Sequence, residues 1–249
     1  MKLSVIICTS GRSESLKKCL QSLKRQSFKD FEIIQVKEKG LAKARDLGWR
    51  RAKGEVVSWI DDDVVVSKNW AKELVKIFKE NKDVGGVSGP TIVPEKLLKN
   101  RLIFWWYKPE GKLKQLSAKL WVRILLKGDP YVVGRIYKTG MWSPGSNFKE
   151  SLSKTEGSVL SVDYLEACNM SLRRNLVKKV GGIDLGYKGT SEWCEVDLAM
   201  RVKELGYRLV FSSKVKVEHH VSKGGAFINR RNIGERLRNF IKFYIRHRL

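Results

Sequence analysis

Glu55-Val56-Val57-Ser58-Trp59-Ile60-Asp61-Asp62-Asp63 is the stretch on which the fold turns. An apolar run rises out of a turn at Gly54 and stops at three consecutive carboxylates. Its β-branched and aromatic residues, entered from glycine, predict a buried strand. Three neighbouring acids repel one another at neutral pH unless a cation sits among them. In an open α/β sheet, ligands bind at the carboxyl edge of the strands. A hard divalent ion, held by one or two carboxylates and by substrate phosphates, suits that place. The plainer reading is a solvated acidic turn ahead of the next helix.

The flanking sequence repeats one pattern. Leu3 to Cys8 is a continuous apolar strand, followed by the turn Thr9-Ser10-Gly11-Arg12. Ser13 then caps a helix whose Leu16, Cys19, Leu20 and Leu23 share one face. Phe31 to Val36 is a second strand, so the opening is a βαβ unit with a right-handed crossover. Leu41 to Ala52 reads as a helix, Ser67 as the cap of another, and Val84 to Ser88 as a further strand. The predicted fold class is α/β, with a mixed, mainly parallel Rossmann-like sheet flanked by helices.

From about residue 94 to 157 the pattern degrades into a basic, aromatic insertion. Leu102-Ile103-Phe104-Trp105-Trp106-Tyr107 and Leu120 to Leu126 are apolar runs set among lysines. They read as packed elements, or as a surface suited to lipid headgroups. Order returns with a strand at Ser158 to Tyr164, a helix at Glu192 to Leu205, and strands at Tyr207 to Phe211 and Val215 to His219. Asn175 is positioned to cap a short helix, and Asn229 or Asn232 a last one. That last helix sets Ile233, Leu237, Phe240, Ile241, Tyr244 and Ile245 against arginines and lysines. The expected organisation is one domain over 1–228 (halves 1–93 and 158–228 around the insertion) and a basic amphipathic helix over 229–249.

The 249 residues carry 50 Lys and Arg against 26 Asp and Glu, a net charge of +24. Such a surface meets polyanions: nucleic acid, anionic lipid or phosphorylated substrates. No apolar run reaches the eighteen residues of a membrane span. The first strand lacks a small-residue cleavage site and is read as mature sequence. Cys8, Cys19, Cys168 and Cys194 have no metal-type spacing and are expected as reduced core thiols of a cytosolic protein.

Three constellations carry chemistry. The turn Thr9-Ser10-Gly11-Arg12 offers hydroxyls, N–H groups and a guanidinium at a helix start, a place for a phosphate. In Glu192-Trp193-Cys194-Glu195-Val196-Asp197, Glu195 and Asp197 lie on different helix faces. One of these acids can pair with Arg201 while another serves as a general base. Alternation puts His219 at the end of its strand, where with Asp63 it suits Mn²⁺ or Mg²⁺.

The order of these motifs resembles the family 2 glycosyltransferases, which have the GT-A nucleotide-sugar fold. The resemblance rests on Ser4-Val5-Ile6-Ile7-Cys8-Thr9-Ser10-Gly11-Arg12, Gly40-Leu41-Ala42-Lys43-Ala44-Arg45-Asp46 and the DXD-like Asp61-Asp62-Asp63. It continues in Asn169-Met170-Ser171-Leu172-Arg173-Arg174, Gly181-Gly182-Ile183-Asp184, Glu195-Val196-Asp197-Leu198 and Val217-Glu218-His219. It implies that Asp63 binds the divalent cation (Mn²⁺ or Mg²⁺), with His219 as a further metal or diphosphate contact. Asp61 or Asp62 would hold the ribose, and Glu195, in a block with Asp197, would be the general base of an inverting transfer. Arg12, Lys43 and Arg45 would add positive charge near the diphosphate, with Thr9 and Ser10 in the same turn. Two departures stand out. The acidic pair that usually reads the nucleobase is replaced by Gln35-Val36-Lys37-Glu38-Lys39, leaving Glu38 as its substitute. Cys194-Glu195 stands where Glu-Asp is usual, which makes Glu192 a competing base.

The expected reaction moves a hexosyl group from a UDP- or GDP-sugar to a glycan or lipid-linked acceptor, in polysaccharide or glycolipid synthesis. The expected location is cytoplasmic, peripheral on an anionic membrane. The contrasting reading is a basic nucleic-acid-binding protein on an inactive α/β scaffold. It accounts for the charge but not for the acidic cluster, which repels phosphates. A nucleotidyltransferase would need a glycine-rich loop with lysine after the first strand, which the sequence lacks.

Overall fold

The computed structural model describes residues 1–11, 13–94, 111–221 and 232–249. The expectations for Arg12, for Leu102 to Tyr107 and for an Asn229 cap lie outside these residues. The first half runs β1 (Leu3–Cys8), α1 (Ser13–Lys24), β2 (Phe31–Val36), α2 (Leu41–Arg51), β3 (Val56–Asp61), β4 (Val64–Val66), α3 (Trp70–Glu80), β5 (Val84–Ser88) and β6 (Thr91–Ile92). The middle holds α4 (Lys112–Trp121), a π turn at Val122–Leu126, the hairpin β7 (Val133–Ile136) and β8 (Trp142–Pro144), and α5 (Lys149–Ser153). Last come β9 (Val159–Val162), β10 (Asn169–Arg173), α6 (Arg174–Lys179), α7 (Cys194–Glu204), β11 (Arg208–Ser212), β12 (Val217–His219) and α8 (Ile233–His247).

The main sheet has the order β2-β1-β3-β10-β5-β11-β9, with β10 and β9 antiparallel to their neighbours. The mainly parallel sheet expected from the βαβ spacing is therefore present. Successive residues of β1 face opposite layers, as the pleat requires. Ile6 packs with Trp59, Met170, Leu198 and Phe243, while Val5 and Ile7 pack with Ile60, Trp70, Leu74 and Phe78. A small sheet, β4-β12-β6, stands beyond the end of β3.

Several local expectations differ. Ser67 does not cap α3; its carbonyl accepts from the Trp70 N–H (3.0 Å) and from the Gln26 side chain (2.7 Å). Asn175 lies within α6, whose first flanking residue is Arg173. Helix α7 begins at Cys194 instead of Glu192, because Ser191 (φ 56°) and Trp193 (φ 79°) are left-handed. The Trp193 ring explains the turn: it stacks on Phe243 at 4.7 Å and meets the edge of Trp142 at 4.5 Å. Of the two caps considered for the last helix, Asn232 takes the role, its side chain accepting the Glu235 N–H at 3.1 Å.

Helix α8 also divides its apolar residues in a way the sequence does not reveal. Phe243 is fully buried in the core, whereas Ile233, Leu237, Ile241 and Ile245 are exposed. The four cysteines are free and buried, as expected.

Candidate active site

Strand register builds the site. Cys8 of β1 lies opposite Asp61 of β3 in a parallel pair, so Thr9 and Asp62 emerge side by side. The Thr9 hydroxyl donates to Asp62 Oδ2 at 2.6 Å, and Asp62 is fully buried. The middle acid of the triplet thus fastens the turn after β1.

Strand β12 runs antiparallel to β4 with His219 opposite Val64, and the His220 N–H bonds the Asp63 carbonyl at 2.9 Å. This pairing holds His219 Nε2 3.1 Å from Asp63 Oδ1. On the other side, Cys168 Sγ lies 3.7 Å from His219 Nδ1, delivered by the residue just before β10. Burial opposes protonation of His219, but Cys168 and Asp63 outweigh it and hold its pKa well above the ordinary histidine value.

Asp61, Asp63 and His219 each present a ligand atom, all within 4.8 Å of one another. Two carboxylates and an imidazole are a donor set suited to Mn²⁺ or Mg²⁺. The chain therefore has a candidate divalent-cation site, and it draws in Asp61 as well as the expected Asp63 and His219.

Arg45 has a second role that the sequence did not reveal. Expected near the diphosphate, it comes up from α2 with its side chain 2% exposed. One end lies 3.3 Å from Asp61 Oδ1, and the other pairs with Glu195 Oε1. The guanidinium fork thus joins the metal cluster to the candidate base. Its backbone is set by Trp59, whose indole N–H donates to the Arg45 carbonyl at 3.2 Å.

The remaining expected site residues have identifiable surroundings. Ser10 is exposed on the turn after β1. Glu38 and Lys43 pair with each other at 3.1 Å on the surface, and the Lys43 hydrogen bond holds Glu38 below its ordinary pKa. Glu192, the alternative base, is paired with Arg236 of α8 at 2.7 Å. Asp197 is fully buried; its Oδ2 accepts from Arg201 at 2.9 Å, and its Oδ1 accepts from Arg246 at 2.9 Å and His247 at 3.1 Å. Those partners give it a structural place between α7 and α8, turned off the face that carries Glu195. No sequence signal links Asp197 to Arg246, 49 residues away.

Residues 35–128 match the family described as Glycosyl transferase family 2. The match spans less than half of the chain. That segment holds α2, β3 and the acidic triplet. No curated protein matches the chain. Among solved structures, GalNAc-T7 crystallised with UDP, GalNAc and Mn²⁺ aligns with TM-score 0.64 at 16% identity, over 98% of this chain and 48% of that one. The mannosyltransferase PcManGT from Pyrobaculum calidifontis, in complex with GDP-Man and Mn²⁺, aligns with TM-score 0.58 at 14% identity, over 99% and 64%. S. aureus TarS 1–349 aligns with TM-score 0.51 at 15% identity, over 88% and 60%. The chain thus spans between about half and just under two thirds of these structures. At such identities the likeness is one of fold, the GT-A architecture. Among the described residues, no helix is long and apolar enough to cross a membrane.

Proposed function

We propose that the chain is an inverting glycosyltransferase that moves a hexosyl group from a UDP- or GDP-sugar to an acceptor hydroxyl, assisted by a divalent cation. The observation that carries this reading is the junction at Arg45: metal-type ligands on one side, a buried carboxylate on the other, at the carboxyl end of β3. Asp61, Asp63 and His219 would hold the cation, which neutralises the departing nucleoside diphosphate. Arg45 pairs with Glu195 and aims its carboxylate. Glu195 would then remove the acceptor proton as the new glycosidic bond forms. Thr9 and Asp62 fix the turn on which the nucleotide would rest.

The proposed acceptor is lipid-linked or an anionic glycan, in keeping with the net charge of +24. Four buried free thiols support a cytoplasmic setting, at the inner membrane face. The nucleic-acid reading remains the contrasting outcome of the test, since the charge alone also favours it.

Titration calorimetry with UDP-, GDP- and dTDP-sugars, with and without Mn²⁺, tests the donor. Binding should require the ion and should vanish in Asp63→Ala. Metal-independent binding of nucleic acid alone would overturn the proposal. For the base, Glu195→Gln should lose about a hundredfold or more in kcat, the usual share of general base catalysis. Glu192→Gln should retain turnover; the opposite pattern would hand the role to Glu192.

A further inference from the structure

We propose that the outer face of α8 is a docking surface for an anionic lipid membrane. Residues four apart on a helix stack along one side, and Ile233, Leu237, Ile241 and Ile245 follow that spacing. They are 75%, 55%, 46% and 68% exposed, so a full stripe of branched aliphatic side chains faces water. The opposite face of the same helix is committed to the protein through Phe243, Asn239, Arg246 and His247. The helix therefore lies flat on the molecule, presenting its stripe outward along its whole length.

Charge decides the occupant. Arg238 is exposed beside the stripe and Arg248 is exposed at its end, while Lys242 is turned to Asp184 at 2.8 Å. An amphipathic helix with aliphatic residues on one face and cations at the margin suits the headgroup boundary of an anionic bilayer. A second copy of this chain is disfavoured, because a two-fold contact would bring like against like on molecules of net charge +24. The same composition recurs on α4, where Leu113 and Leu116 are 83% and 66% exposed among Lys112, Lys114 and Lys119. The hairpin β7–β8 links the two neighbourhoods: Tyr137 bonds the Asp129 carbonyl near the end of the π turn, and Tyr244 of α8 bonds the Lys138 carbonyl.

Membrane docking deepens the reading of a membrane-borne acceptor, and vesicles test it without any donor present. Co-sedimentation of the whole chain would use phosphatidylcholine vesicles with and without phosphatidylglycerol, in the absence of any nucleotide sugar. The wild type should bind only the anionic vesicles, less as salt rises. The pair Leu237→Glu, Ile241→Glu should weaken binding at least about tenfold while melting like the wild type. Should that pair fail to fold, Leu237→Ser, Ile241→Ser should still weaken it by roughly threefold or more. Equal binding of wild type and a folded variant would overturn the proposal, as would wild-type indifference to anionic lipid. A wild-type dimer that the substitutions split would likewise overturn it in favour of self-association. Donor binding by calorimetry is untouched by any of these results, so the two proposals fail separately.

Discussion

Arg45 compensates two carboxylates at once. Its side chain is 2% exposed, that of Glu195 7%, and that of Asp61 27%. Removing the guanidinium leaves the acids desolvated and mutually repelling, so Arg45→Met should cost about 3 kcal/mol or more of stability, read by urea unfolding. Arg45→Lys keeps the charge but loses the two-ended fork, so it should recover part of the stability while turnover stays low. If Arg45→Met unfolds at the wild-type midpoint, the junction is not what orders the site. Cys168, close against His219, is a second feature that motif spacing could not supply, because the contact arises from strand pairing.

Helices α7 and α8 are joined by buried charge. Burial pushes the Asp197 carboxyl up, but the hydrogen bond from His247 and the charges of Arg201 and Arg246 outweigh it and lower its pKa. His247 is raised in turn: burial opposes its charge, and Asp197 and Glu204 override that opposition. A raised folded pKa contributes stability that is complete below the ordinary histidine value and is lost as pH rises through the raised one. Wild type should therefore outlast His247→Gln most clearly below the ordinary histidine value, with the gap in melting temperature closing as pH rises through the raised one. Asp197 works in the other direction, adding stability above the ordinary carboxylate range that is lost as pH falls. The left-handed Trp193 just before α7 is a further joint, and Trp193→Ala should cost about 3–5 kcal/mol by emptying the space between Trp142 and Phe243. A gap in melting temperature that ignored pH would remove His247 from the clasp.

The whole molecule binds its last helix into its core, so residues 232–249 are less separable than their sequence suggests. A chain cut after residue 231 would lose Phe243 and leave Asp197 buried without two of its partners. It should bind hydrophobic dyes and melt well below the full chain; a sharp transition at the wild-type temperature would show α8 to be dispensable. Much of the sheet was legible, because β1, β2, β3 and β5 are apolar runs whose burial follows from composition. The triplet and His219 were legible as a group, because strand ends gather at one edge. The division of labour within the triplet was not, since it depends on which carboxylate meets Thr9 and which meets Arg45 in space. The pairing of α7 with α8 was hidden for the same reason, its partners being distant in the chain, and the aliphatic stripe looked like core until packing turned Phe243 inward instead. That pairing also has a meaning in time. The proposed base sits on a helix whose buried Asp197 must wait for Arg246 and His247, about 50 residues later, or some seconds of synthesis at typical elongation rates. Strand β10 lies between β3 and β5, so the sheet of the first half also waits for the second. The helix that carries the proposed base therefore stays unfinished until almost the whole of this sequence has been made.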